Sequence, residues 1–205
     1  ARFVPGLLAP GARPRARSPL APLRVFAVTG SPLSVAGFNY VYEHIKQDVL
    51  LASVSGGTDI VGCFIGGVPT LEVRAGELQR PMLGIDLRIF DPEGNETDEI
   101  GELVCINPLP SMPLKFLGDD DFSRYHEAYF DVYDGIWRHG DLVEKRPGGG
   151  YIIHGRSDTT LNPAGVRIGT AEIYRPLDAF REFAEVAAVG KWNGTDQEIW
   201  LFVVM

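Results

Sequence analysis

The sequence predicts an α/β fold: an α/β body with an antiparallel β subdomain, followed by the beginning of a small α+β unit. Three observations predict it. Near the start, an apolar run, an amphipathic helical stretch and a second apolar run ending in a glycine turn follow one another in βαβ order. From residue 70 to 107 the apolar period changes to two, and turn residues separate short strand-like runs. Beyond a polar joint at 155–160, one helical segment and two more apolar runs form a separate pattern. The division this suggests is a first part over 1–157 and a second over 158–205.

In chain order, residues 1–22 carry Pro5, Pro10, Pro14, Pro19 and Pro22, which remove backbone donors, so little regular structure is expected there. LRVFAVT reads as a buried strand and TGSP as a turn, with Ser34 as the N-cap of a helix whose apolar face is Val35, Phe38, Val41, Tyr42 and Ile45. DVLLASV reads as a second, parallel strand, and the loop SGGTD then lies at its carboxyl end, where α/β sheets bind ligands. Leu83, Ile85, Leu87 and Ile89 are expected on one strand face, followed by a DPEGNE turn and the strand GELVCI. Ser123 is expected to cap a short helix through RYHEAYF. IWRHGDLVEKR and YIIHGR pair around PGGG, a helix starts near Thr170, and EVAAVG and EIWLFVVM close the sequence as strands.

Composition narrows the function. The 205 residues are 45% hydrophobic, enough for a core, and 24 glycines with 15 prolines imply many turns. The 27 acidic residues outnumber the 19 basic ones, giving a net charge of −8, which argues against nucleic acid or an anionic membrane as partner. No apolar run reaches the roughly 18 residues of a membrane helix. Cys63 and Cys105 form no CxxC pair and are read as reduced, buried thiols of a cytoplasmic protein. His44, His126, His139 and His154 have no metal-ligand spacing and are read as structural, and the cluster Tyr125, Tyr129, Phe130, Tyr133 and Trp137 as core packing. The proline-interrupted start and the strand that ends the sequence predict a fragment of a longer chain.

Several motifs could carry chemistry. SGGTD (55–59) could present backbone N–H groups and the Thr58 hydroxyl to a phosphate, with Asp59 offering a hard oxygen to Mg²⁺. RHGD (138–141) offers a carboxylate that could accept two ribose hydroxyls, and GRSD (155–158) an arginine donor. Taken singly, each also reads as structure: a glycine turn, a hairpin salt bridge, a polar joint.

Their order is more specific than any one of them. TGSPLS, SGGTDIV, GELVC, PSMP, AYF, WRHGD, GRSD and NPAGVRIGTAEIY together resemble the adenylate-forming superfamily of acyl-CoA synthetases, peptide-synthetase adenylation domains and luciferases. Within it the resemblance is nearest to the acetoacetyl-CoA synthetases and runs from Arg24 to Met205. It implies that the first part belongs to the large AMP-binding domain and the second begins the small mobile C-terminal domain. It further implies that Gly30, Ser31 and Pro32 flank the adenine, that Gly57 and Thr58 meet the nucleotide with Thr58 on the α-phosphate, and that Asp59 lies near Mg²⁺; Thr58 and Asp59 are the catalytic candidates. Asp141 would hold the ribose, assisted by Arg156, and Asp158 would be the hinge. Gly165 and Arg167 would serve CoA. Gly56 stands where acetate-activating relatives carry a tryptophan, so it either opens the acyl pocket or meets a backbone requirement of the loop.

The implied substrates are acetoacetate, ATP and CoA, joined through an acyl-adenylate; acetate, propionate or hydroxybutyrate are alternative acids. The family's Ser/Thr/Gly-rich phosphate loop with its lysine, and its C-terminal catalytic lysine, have no counterpart in these 205 residues. A non-catalytic nucleotide-binding module is therefore the alternative for this chain alone. Two departures stand out: Pro176 falls inside the expected last helix, implying a kink or a later start, and Ala164 replaces a glycine usual in this group.

Overall fold

The computed structural model describes residues 3–8, 10–159, 161, 163, 168–177, 180, 182–193 and 196–205. Two short helices, α1 (Phe3–Leu8) and α2 (Pro14–Arg17), occupy the proline-rich start, where little regular structure was expected. The physical reason is visible at Pro14, which opens α2 where its missing N–H has no intrahelical partner to lose. Two side chains from further along the chain tie this segment down. The Tyr40 hydroxyl donates to the Ala12 carbonyl at 2.7 Å, and the buried Lys46 ammonium donates to the carbonyls of Leu20, Ala21 and Leu23 at 3.2, 3.0 and 2.7 Å.

The expected βαβ unit follows. β1 (Val25–Val28) and β2 (Leu50–Ser53) pair in parallel, Val25 opposite Leu50 and Val28 opposite Ser53. Between them α3 (Val35–Tyr40) starts at Ser34, whose hydroxyl accepts from the Gly37 N–H at 3.2 Å. The helix then widens into a π turn over Val41–Ile45, closed by Lys46 N–H on the Val41 carbonyl at 2.9 Å. Of the expected face, Phe38, Val41 and Ile45 are buried, but Val35 is exposed and Tyr40 is buried instead. Val35 is the first residue of α3, and Tyr40 is drawn inward by the bond of its hydroxyl to the Ala12 carbonyl, a partner 28 residues away that the local period does not reveal.

The glycine loop is more regular than expected. Ser55–Gly57 is a strand, β3, running directly on from β2 and antiparallel to β4 (Gly62–Gly66), which pairs in turn with β5 (Arg80–Pro81). A four-stranded sheet holds β6 (Leu87–Phe90), β7 (Gly101–Cys105), β8 (Trp137–Lys145) and β9 (Tyr151–Arg156) in sequential antiparallel order. Leu87 and Ile89 face the core as expected. Leu83 is fully exposed, because Gly84 turns the chain at φ +80° before the strand begins. Phe64, Ile65, Leu103, Trp137, Val143 and Tyr151 are central to this second core.

Helix α4 (Ser123–Tyr129) packs against β8. Its cap is not Ser123, which is the first helical residue, but the buried Asp119 carboxylate, which accepts from the N–H groups of Arg124 and Tyr125 at 3.1 and 2.9 Å. The aromatic residues of this region pack as a core, with the Tyr129 ring stacked on Trp137 at 3.6 Å between centroids and 15° between planes.

Helix α5 (Thr170–Leu177) lies against β9, and Arg175 donates to the Ile153 carbonyl at 3.0 Å. Pro176 is its penultimate residue, so its missing N–H falls in the last turn rather than mid-helix. β10 (Glu185–Trp192) and β11 (Gln197–Val204) form an antiparallel hairpin with Val189 opposite Trp200 and Ala187 opposite Phe202. Both cysteines are free thiols, and burial pushes each above the usual thiol range. Among the described residues no helix is long and apolar enough to cross a membrane.

Candidate functional site

The parallel pair sets the position of the site. β1 and β2 end side by side, and the Val54 N–H continues the ladder onto the Val28 carbonyl at 2.9 Å. The turn with Gly30, Ser31 and Pro32 therefore leaves the same sheet end from which β3 begins, with Gly30 at φ +86°, a conformation glycine adopts without strain. Strand β3 then runs out to the turn bearing Thr58 and Asp59.

Beside β3 lies the β8–β9 hairpin. Asp141 on β8 is in register with Arg156 on β9, and the Asp141 side chain keeps only 14% of its exposure. Its Oδ2 accepts a hydrogen bond from the Ser55 hydroxyl at 2.8 Å, while the Arg156 Nη1 stands 3.5 Å from Oδ1. Arg156 is held on three sides. Its Nη1 donates to the His139 carbonyl at 3.1 Å, and its Nε and Nη2 bind the two oxygens of Asp158 at 3.2 and 3.0 Å. That bidentate grip keeps the Asp158 carboxyl below the usual carboxylate range. The guanidinium passes so close over Gly140 that a Cβ there would lie 2.5 Å from Nη2, and Gly140 also sits at φ +84°. Glu102 on β7 completes the frame by accepting from the Gly140 N–H at 2.8 Å and from Arg138 Nε at 3.0 Å.

His139 is the strut between β3 and β8. Its ring is buried, meets Phe64 edge-on at 4.7 Å between centroids, and stands 3.6 Å from Asp141 Oδ2. Burial lowers its pKa from the ordinary value, outweighing the attraction of Asp141. Asp59 is met from α4: the Tyr129 hydroxyl donates to its Oδ2. Burial, and then that bond, push the Tyr129 phenol above its usual range, so it is a donor at any physiological pH.

The sequence-expected residues Asp141, Arg156 and Asp158 thus belong to one network of β3, β8 and β9, while Asp59 is bonded separately to Tyr129 of α4 and Gly57 pairs with Gly62 of β4. Gly165 and Arg167 lie outside the described residues, as does Ala164. At Gly56, of the two expected roles the backbone one matches the packing. A Cβ there would lie 2.1 Å from the Gly62 carbonyl oxygen and 2.5 Å from the Cys63 Cα, so a side chain would enter β4 rather than a pocket. Ser55, Tyr129, His139 and Glu102 were not expected at the site. The bonds from Ser55 to Asp141 and from Tyr129 to Asp59 bridge 86 and 70 residues, and only the presence of AYF among the family-like motifs hinted at Tyr129.

Comparison with known proteins gives these positions a context. No protein-family model matches the chain. It is 48% identical over 204 residues to the acetoacetyl-coenzyme A synthetase of Rhizobium meliloti (strain 1021), a match covering 99% of the chain and 31% of that protein. It is 44% identical over 198 residues to the acetoacetyl-CoA synthetase of Xenopus tropicalis, covering 95% of the chain and 30% of the relative. The structure matches the acetoacetyl-CoA synthetase from Streptomyces lividans with a TM-score of 0.86 and 44% identity, over 99% of this chain and 31% of that one. The anthranilate CoA ligase AuaEII, solved in complex with anthranoyl-AMP, shares the fold at a TM-score of 0.73 and 22% identity, over 90% of this chain and 34% of that one. The chain spans just under a third of the length of the curated relatives named here. Over nearly all of its own length, it is homologous to one segment of the acetoacetyl-CoA synthetases and has the fold of the matching part of an adenylate-forming enzyme.

Proposed function

We propose that this chain is part of an ATP-dependent acid–thiol ligase that joins acetoacetate to CoA in the cytoplasm, and that it supplies the nucleotide-facing rim. The observation that carries the reading is the meeting of three segments at Asp141, where Ser55 of SGGTD and Arg156 of GRSD reach the carboxylate of RHGD, beyond the end of the β1–β2 pair from which TGSP also leaves. The identity to acetoacetyl-CoA synthetases supports acetoacetate as the acid.

In this reading the acetoacetate carboxylate attacks the α-phosphorus of ATP, pyrophosphate leaves, and the CoA thiol then displaces AMP from the acyl group. Gly30, Ser31 and Pro32 flank the adenine. Gly57 and the Thr58 hydroxyl meet the α-phosphate. Asp141 accepts the ribose hydroxyls and Arg156 steadies its outer oxygen. Asp158 is the hinge between a first part over 1–157 and a second over 158–205, and Gly165 and Arg167 line the approach of CoA. Asp59 fits Mg²⁺ by the chemistry of its donor set. Tyr129 occupies one carboxylate oxygen, which leaves the other as a hard ligand, and Mg²⁺ characteristically takes one or two carboxylates beside phosphates and water. When bound, the ion offsets the charge that builds on the phosphates.

The test is a hybrid in which this chain replaces the matching segment of the Streptomyces lividans enzyme. The hybrid should exchange pyrophosphate into ATP with acetoacetate as the acid, and Asp141→Ala in it should weaken ATP and AMP together. A folded hybrid with no acid-dependent exchange would sink the reading.

A further inference from the structure

We propose that Ser55 is a positioning residue for the nucleotide: its hydroxyl fixes the Asp141 carboxylate in the orientation that receives the ribose. The inference rests on the assignment of Asp141 to the ribose made above. Among the described residues, the shortest contact to the Asp141 carboxylate is that from Ser55 Oγ, at 2.8 Å; the Arg156 and His139 nitrogens stand at 3.5 and 3.6 Å. Arg156 is committed to Asp158 and to the His139 carbonyl, and the His139 ring stands beyond hydrogen-bond distance, so neither is aimed squarely at Asp141. Ser55 is.

Local backbone geometry explains why a serine reaches across. Ser55 pairs with Ile65 but Gly56 with Cys63, so Phe64 is an extra residue in β4 at this point. Such a bulge sharpens the strand twist and re-aims the neighbouring side chain. Opposite the start of this bulge stands Ser55, a buried hydroxyl that meets a carboxylate on β8, 86 residues further along the chain. A carboxylate has about four lone-pair sites, so one bond from Ser55 leaves capacity for two ribose hydroxyls while stopping rotation of the carboxylate plane. A preset acceptor does not have to be ordered when ligand arrives, and that difference is felt in affinity for the diol specifically.

The experiment is an NMR titration of the chain with two probes, AMP and 2′,3′-dideoxy-AMP, which differ only in the hydroxyls that Asp141 would accept. The unaltered chain should prefer AMP by about fivefold or more, the scale of one net hydrogen bond. In Ser55→Ala that preference should fall to about twofold or less with affinity for the dideoxy probe nearly unchanged, and Ser55→Thr, which keeps the hydroxyl, should restore it. Ser55→Cys, near in size but a weak donor, should behave as alanine does and serves if the alanine variant does not fold. A preference that survives in folded Ser55→Ala or Ser55→Cys, or an equal loss for both probes, would overturn the inference alone. No preference for AMP in the unaltered chain would overturn the ribose assignment of Asp141 and this inference with it.

Discussion

A methyl group at Gly56 has nowhere to go, because the obstacle is the backbone of β4 and not the end of a flexible side chain. Gly56→Ala should therefore lower stability by about 1–3 kcal/mol, seen as a lower denaturation midpoint at constant slope. A neutral outcome would return the residue to the acyl pocket. At Tyr129 the hydroxyl and the ring do separate jobs. Tyr129→Phe removes the donor to Asp59 but keeps the stack on Trp137, so it should cost about 1 kcal/mol, and Tyr129→Ala clearly more. At His139 the pKa is lower in the folded chain than in the unfolded one, so on acidification the unfolded chain takes up the proton first. Its contribution to stability is fully present above about pH 6.5 and is lost as pH falls from there through the lower folded value. His139→Gln should flatten the stability profile just below about pH 6.5, measured by thermal unfolding at about pH 5 to 8; an unchanged slope would assign that limb to other groups.

At the scale of elements, Ser34→Ala should cost about 1 kcal/mol, because it removes the acceptor for the Gly37 N–H at the start of α3. A melting temperature within error of the parent would show that packing of Phe38 and Val41 alone holds the helix. That cap was legible in the sequence because it is local: hydroxyl and amide lie three residues apart. The same holds for the β8–β9 hairpin, announced by PGGG, and for the turn at DPEGNE, where Asp91 accepts from the Glu93 and Asn95 N–H groups at 3.0 and 2.8 Å. Legibility failed where the partner is distant in sequence or the local signal is misleading. Asp119 caps α4 from a buried position ahead of the helix, while Ser123 offered itself as the conventional candidate. Ser55–Gly57 reads as a loop because glycine is rare in strands, and only its pairing with β4 makes it one. The site divides in the same way. Asp59, Asp141 and Arg156 stand in recognisable motifs, but the hydroxyls that orient two of them come from 70 and 86 residues away, a relation that only the folded chain contains.

For the whole molecule, the chain tested alone should show no acid-dependent exchange of pyrophosphate into ATP, since neither lysine-bearing motif lies within its 205 residues. Exchange above a no-protein control would mean that other groups here meet the phosphates. The proposed division at 157/158 can be tested optically, because the three tryptophans are sorted by place. Trp137 is buried at 2% exposure in the first part, whereas Trp192 and Trp200 stand on the β10–β11 hairpin at 67% and 42%. Emission from the hairpin pair should be red-shifted and open to acrylamide, that from Trp137 blue-shifted and shielded. Replacing Trp137, or the other two, with phenylalanine leaves a chain whose fluorescence reports one side of the division at a time. If α5 merely rests on β9, the hairpin signal should melt at a lower denaturant concentration than the core signal. Coincident transitions would mean that the contacts of Arg175 with the Ile153 carbonyl and of α5 with β9 bind both parts into one cooperative unit. Each indole is thus a built-in optical gauge of the side on which it stands.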